Sequence, residues 1–158
     1  RLAYAGFRVL TLDHRGRGRE ARIPPEDTKA HLDVLGAVQR LRQDGAAEVF
    51  AVGASWGGWA VGTAAVAQPD WMGRMIFLAH SPFDNAERLR GRTLFITGRD
   101  DRDGQGRARL DSIRAQFELV PEPKALVTLD SAAHAQFLFL TPRAEQLQGH
   151  IESFLSAP

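Results

Sequence analysis

Three side chains of the types needed for covalent hydrolysis occur along this sequence in a fixed order. They are a serine, Ser55, an acid in the pair Asp100-Asp101, and a histidine, His134. A serine hydroxyl is a weak nucleophile at neutral pH. An imidazole has to take its proton, and a carboxylate has to fix the imidazole tautomer. Ser55 lies in Val52-Gly53-Ala54-Ser55-Trp56-Gly57-Gly58-Trp59, where Gly53, Ser55 and Gly57 form the pattern G-x-S-x-G. A serine held on a sharp strand-to-helix turn takes strained backbone angles, so its neighbours must carry almost no side chain. Its hydroxyl then projects above the sheet edge. The backbone N–H of Trp56, opening the next helix, is set to stabilise an oxyanion. The motif by itself fits an ordinary turn in a nucleotide-binding sheet equally well, so the surrounding elements decide.

Those elements alternate. Phe7–Leu12 has the alternation of a strand and runs into the turn-rich Asp13-His14-Arg15-Gly16-Arg17-Gly18. After an irregular stretch with Pro24-Pro25, Asp27-Thr28 could cap a helix. Its apolar positions Leu32, Val34, Leu35, Val38 and Leu41 recur near period 3.6, and it stops near Gly45. Residues 46–54 form the strand entering the turn at Ser55, and small residues continue it as a helix that ends before Pro69. Met75–Ala79 is a continuous apolar run, as in a strand buried on both faces, and Thr93–Thr97 is another buried strand. A helix over 105–117 places Leu110, Ile113 and Phe117 on one face. Ala125–Leu129 is the last strand, and Ala144–Leu155 is a final amphipathic helix with Leu147, Ile151 and Phe154. The pattern predicts one α/β domain over 1–158, a mostly parallel sheet with helices on both faces. In such sheets ligands sit beyond the carboxyl ends of the strands. That rule selects Asp13-His14, Ser55, Asp100-Asp101 and His134.

Composition narrows the chemistry. With 44% hydrophobic and 25% charged residues the chain is ordinary globular protein, and a net charge of +1 gives nucleic acid or an anionic membrane nothing to hold. No apolar run is long enough for a membrane span. The absence of cysteine excludes a thiolate metal site and a cysteine nucleophile. The five histidines are scattered without a two-histidine spacing, so no metal and no cofactor is expected. No G-x-G-x-x-G follows the first strand, which counts against a dinucleotide binder.

Taken together, the chain resembles the α/β-hydrolase superfamily, in particular its small cap-less members of the dienelactone-hydrolase-like and esterase-like type. Phe7–Gly18 is similar to the family's strand and D-x-R-G-x-G segment, Gly53–Gly58 to its nucleophile elbow, Gly98-Arg99-Asp100-Asp101 to its acid loop, and His134 to its histidine loop. The likeness covers essentially the whole chain, and the order Ser, Asp, His is the family's. It implies Ser55 as nucleophile, His134 as general base and then acid, Asp101 as the orienting carboxylate because it falls three residues after the glycine, and the Trp56 N–H as one oxyanion donor. Asp100 and Asp103 are close enough to substitute for Asp101. His80 and Ser81 could line the pocket, although His80 equally fits a packed loop position. Asp13, His14 and Arg15 are expected to pin their loop, His31 and His150 to be solvated on helices, and Trp56 to be the tryptophan that touches substrate. Two departures stand out. Arg102-Asp103-Gly104 lacks the proline that often follows the acid, and Ala132-Ala133 replaces the usual glycine before the histidine.

The resemblance also sets expectations for the start of the chain, where Arg1–Gly6 reads as the last turn of a helix. The family's early strands and the loop bearing its second oxyanion donor precede that point. One of those strands would lie between residues 7–12 and the elbow strand, leaving both with unpaired edges. The expectation is therefore a C-terminal portion of a longer hydrolase, weakly active or inactive alone. The expected activity is cleavage of a carboxylic ester or related acyl bond through an acyl-enzyme on Ser55, with a small-molecule acyl substrate and a cytoplasmic setting. The short link from Phe83 to Leu94 leaves no room for a lid, so the pocket is expected to be open. A peptidase, a thioesterase or a C–C hydrolase on the same three residues, or a binding module with a vestigial site, are the alternatives.

Overall fold

Apolar runs with no polar alternation can settle only between two covering layers, and the two central strands of the sheet do so. The computed structural model describes residues 1–16 and 29–157. Strands β1 (Phe50–Ala54), β2 (Arg74–Leu78), β3 (Arg92–Gly98) and β4 (Lys124–Leu129) pair in that order, and every pairing is parallel. Successive residues of β2 feed opposite faces. Met75 and Phe77 join one core with Phe95, while Ile76 and Leu78 join another with Leu94 and Ile96. Helices α1 (Ala30–Gln43), α2 (Trp56–Ala67) and α3 (Arg109–Leu119) cover the first face, and α4 (Ala144–Ser156) covers the second. Burying one such side chain stabilises the fold by about 1.5–3 kcal/mol.

The helices follow from their sequences. Val34 and Val38 in α1, and Leu147, Ile151 and Leu155 in α4, recur at the four-residue spacing that makes one stripe, and all are buried. Leu32, counted above among the inward positions, is exposed on the far side of α1. The proposed cap at Asp27-Thr28 lies outside the described residues. Helix α2 has no polar stripe, because it is wedged deep between neighbours and buries seven residues. Its small residues allow close approach: a Cβ on Gly62 would lie 2.3 Å from the Phe83 ring. The expected start of α3 at residue 105 is wrong, since the helix begins at Arg109. The residues before it fold into a turn in which the Asp103 carboxylate accepts from the backbone N–H groups of Gln105 and Arg107 and from the Arg107 guanidinium.

The strand expected at 7–12 pairs with nothing among the described residues. The segment still tracks β1 in the same direction. Phe7 meets the Phe50 ring at 6.3 Å, and His14 meets Trp56 at 4.9 Å. Between the two runs lies a cavity of about 480 Å³, lined by Val9, Leu12, Val34, Val49, Val52 and Val61 among others. Alternation made 7–12 look like a strand, but a ladder also needs a neighbouring backbone, and here a gap intervenes. Gly6 (φ +89°) ends the N-terminal turn in the left-handed region, as read from the sequence.

Candidate active site

Strand β1 delivers Ser55 to the carboxyl edge of the sheet, and the backbone there is forced. Ser55 has φ 51° and ψ −122°, a region that side-chain-bearing residues avoid. The turn is held from outside. The Ser55 N–H donates to the Leu78 carbonyl at 2.9 Å, and the Ser55 carbonyl accepts from Ser81 N–H at 3.0 Å. Two glycines make the turn possible. A Cβ on Gly53 would lie 2.6 Å from the Gly57 carbonyl oxygen, and one on Gly58 would lie 2.5 Å from the His80 Cβ. Gly57, the last residue of the motif, meets nothing within 4 Å. The steric requirement assigned above to Gly57 therefore falls on Gly58, one residue outside the pattern.

Strand β3 and the loop after β4 bring the other two residues to the same place. A Cβ on Gly98 would lie 2.5 Å from the Ser131 carbonyl, so only glycine lets the end of β3 sit against the histidine loop. Asp101 follows and is 1% exposed. Its Oδ2 is 2.7 Å from His134 Nδ1, and His134 Nε2 is 2.8 Å from Ser55 Oγ. Carboxylate, imidazole and hydroxyl thus form one hydrogen-bonded line, which can carry a proton from the hydroxyl to the ring while the ring N–H stays fixed. Of the rival acids, Asp100 is exposed and Asp103 is engaged by Arg107. The Asp103 carboxyl sits below the usual carboxylate range, mainly through the backbone and guanidinium bonds from Arg107. The missing proline and glycine of the acid and histidine loops leave this line intact.

Trp56 is the first residue of α2, so its N–H lies at the positive end of that helix beside Ser55. Its ring stacks on Trp59 at 5.8 Å and meets His14 edge-on. His14 is held there by its loop. The Arg15 guanidinium and backbone N–H bind the Asp33 carboxylate at 2.7–2.9 Å, as expected for a loop pinned by hydrogen bonds. Partial burial raises the Asp33 pKa, but the bonds from Arg15 outweigh it and hold the carboxyl below its ordinary value.

His80 lies behind the elbow, packed among Phe77, Phe83 and Phe95. Its Nε2–H donates to Gln116 Oε1 at 2.8 Å, and Gln116 also clasps the backbone N–H and carbonyl of Phe83. Burial holds the His80 pKa down to about 4, against the opposite pull of the Gln116 bond. Gln116 was missed in the sequence. The available signal was an amide on the same buried face of α3 as Ile113 and Phe117. His31 and His150 are part-buried and not fully solvated. Among the described residues no cluster of His, Cys, Asp and Glu could hold a metal ion, and no helix is long and apolar enough to cross a membrane.

Residues 1–83 match the family model described as serine aminopeptidase, S33, a span that contains the elbow and stops before Asp101 and His134. No curated protein matches the chain. Among solved structures, an α/β serine hydrolase homologue from Coxiella burnetii superposes with a TM-score of 0.69 at 17% identity, over 88% of this chain and 64% of that one. Dienelactone hydrolase from Anabaena variabilis gives 0.64 at 24% identity, over 81% and 58%. A monoacylglycerol lipase from Paleococcus ferrophilus gives 0.69 at 15% identity, over 88% and 79%. At these identities the likeness is one of fold, and the chain spans less than two thirds of the first two proteins.

Proposed function

Because the chain belongs to the serine aminopeptidase S33 family of α/β-hydrolases, we propose that it cleaves a carboxylic ester or related acyl bond through an acyl-enzyme on Ser55. The observation that carries this reading is the line Asp101–His134–Ser55, with both links at hydrogen-bond length. In it His134 Nε2 takes the hydroxyl proton as Ser55 Oγ attacks the acyl carbon. Asp101 holds the Nδ1–H and stabilises the imidazolium. The carbonyl oxygen gains charge and is met by the Trp56 N–H at the start of α2. His134 then returns the proton to the leaving group, and water, activated the same way, releases the acid and frees Ser55.

A small or medium acyl compound is the proposed substrate, reaching Ser55 from solvent past Trp56 and His14. The name of the matching family favours a second reading, in which the scissile bond is the amide of an N-terminal residue. The two are separated by a panel of acetyl and butyryl esters against aminoacyl anilides.

The reading is tested by treating the protein with a fluorophosphonate and mapping the adduct by mass spectrometry. A single turnover suffices, so slow deacylation does not obscure the result. The expected adduct is on Ser55, absent in Ser55→Ala. An unmodified Ser55 in the wild-type chain would sink the assignment.

A further inference from the structure

The mechanism above uses one oxygen of Asp101. The other is also attended. Arg109 Nε stands 3.5 Å from Asp101 Oδ1, and the Arg109 backbone N–H donates to the Asp101 backbone carbonyl at 3.0 Å. The Arg109 Nε is buried and has no hydrogen bond among the described residues, and the acid beside it is 1% exposed. A buried carboxylate held at both oxygens is fixed more firmly than one that meets the imidazole alone.

We infer that Arg109 is a positioning residue for the Ser55 reaction, acting through Asp101 to hold the carboxylate rotamer that keeps Oδ2 on His134 Nδ1. The inference rests on the hydrolase reading above. Its physical basis is geometric. With Oδ1 turned to the guanidinium, Oδ2 stays aimed at His134.

The other charged groups nearby do not offer this charge. In the acid loop, Arg99 and Asp100 are exposed, Arg102 donates to the Gly106 carbonyl, and Asp103 and Arg107 bind each other. On α3, Asp111 and Arg114 are exposed. After β4, Asp130 pairs with Arg143. The short helix that follows His134, Ala135–Leu140, carries no charge, and the elbow contributes only Ser55 and Trp56. His14 is edge-on to Trp56 and faces Asp33.

The test is the rate of fluorophosphonate labelling of Ser55 in the wild type, Arg109→Gln, Arg109→Met and Arg109→Lys, with circular dichroism and melting to establish folding. Two neutral variants are used so that one misfolded protein does not decide the outcome. In the neutral variants the labelling rate should fall by about 10- to 100-fold, the usual cost of a misplaced reacting group, while Arg109→Lys should restore most of the wild-type rate. A folded neutral variant that labels at the wild-type rate overturns the inference, as does a folded lysine variant slowed as far as the glutamine one. Loss of the wild-type adduct itself strikes the Ser55 assignment and this inference with it. That result is read before any variant is compared.

Discussion

Acidification should unfold this protein partly through one buried imidazole. His80 is 1% exposed, and its pKa is pushed from 6.5 to about 4 by burial. In the unfolded chain it takes up a proton below pH 6.5, whereas the folded protein resists until about pH 4. Across that window the unfolded state binds more protons, so stability rises with pH. The contribution is fully present above pH 6.5 and is lost as pH falls toward 4. At about 1.4 kcal/mol per unit the shift corresponds to about 3 kcal/mol, a large share of the 5–15 kcal/mol typical of a domain. The perturbation is His80→Gln, which cannot titrate but keeps an N–H to offer Gln116. The assay is urea unfolding of both proteins at steps from pH 7.5 to 4.5. The variant is expected to be less stable at neutral pH, because it packs worse among three phenylalanines, yet its curve should fall less steeply, by about 3 kcal/mol over the full window. Only the difference in shape counts, since Asp33 and Asp103 titrate in both proteins. Their lowered carboxyl pKa values give stability that is lost as pH falls. Parallel curves, agreeing within about 1 kcal/mol at every pH, would refute the account of His80 as a neutral buried ring.

Two further outcomes follow from the elbow and its base. His134→Ala should slow fluorophosphonate labelling of Ser55 by about 100- to 10,000-fold, the usual range for a general base, and unfolding should show little change. Gly58→Ala should destabilise the protein by about 1–3 kcal/mol, because the new methyl collides with the His80 Cβ. Gly57→Ala should be neutral or stabilising by up to about 1 kcal/mol, since the site is open and helical. Urea midpoints of the two alanine variants read this contrast directly.

Much of the fold was legible because it depends on local pattern. Met75–Ala79 has no polar position and Thr93–Thr97 none between its two threonines, and only a strand covered on both faces suits them. The chemistry was legible for a related reason: Ser55, Asp101 and His134 each leave the carboxyl end of a strand, and parallel pairing brings those ends together. What escaped the sequence depends on contacts between distant residues. Gln116 has a polar side chain at a core position, and its partners are the side chain of His80 and the backbone of Phe83. Gly58 matters because His80, just past the end of β2, packs against it, which no motif spacing encodes. Arg109 reads as an exposed helix residue until the acid loop folds back over its N–H. The segment 7–12 has a strand's alternation, but a strand is defined by its neighbour, and here the neighbouring position is a cavity.

The positive φ of Ser55 separates two mutants commonly used as interchangeable controls. Alanine at this position keeps a Cβ and therefore keeps the strain, so Ser55→Ala isolates the loss of the hydroxyl. Glycine removes the Cβ as well, and Ser55→Gly should melt higher than Ser55→Ala, since a strained angle of this kind costs about 1–3 kcal/mol. A library selected only for thermal stability would thus be drawn toward glycine at position 55, trading the reactive hydroxyl for a relaxed turn.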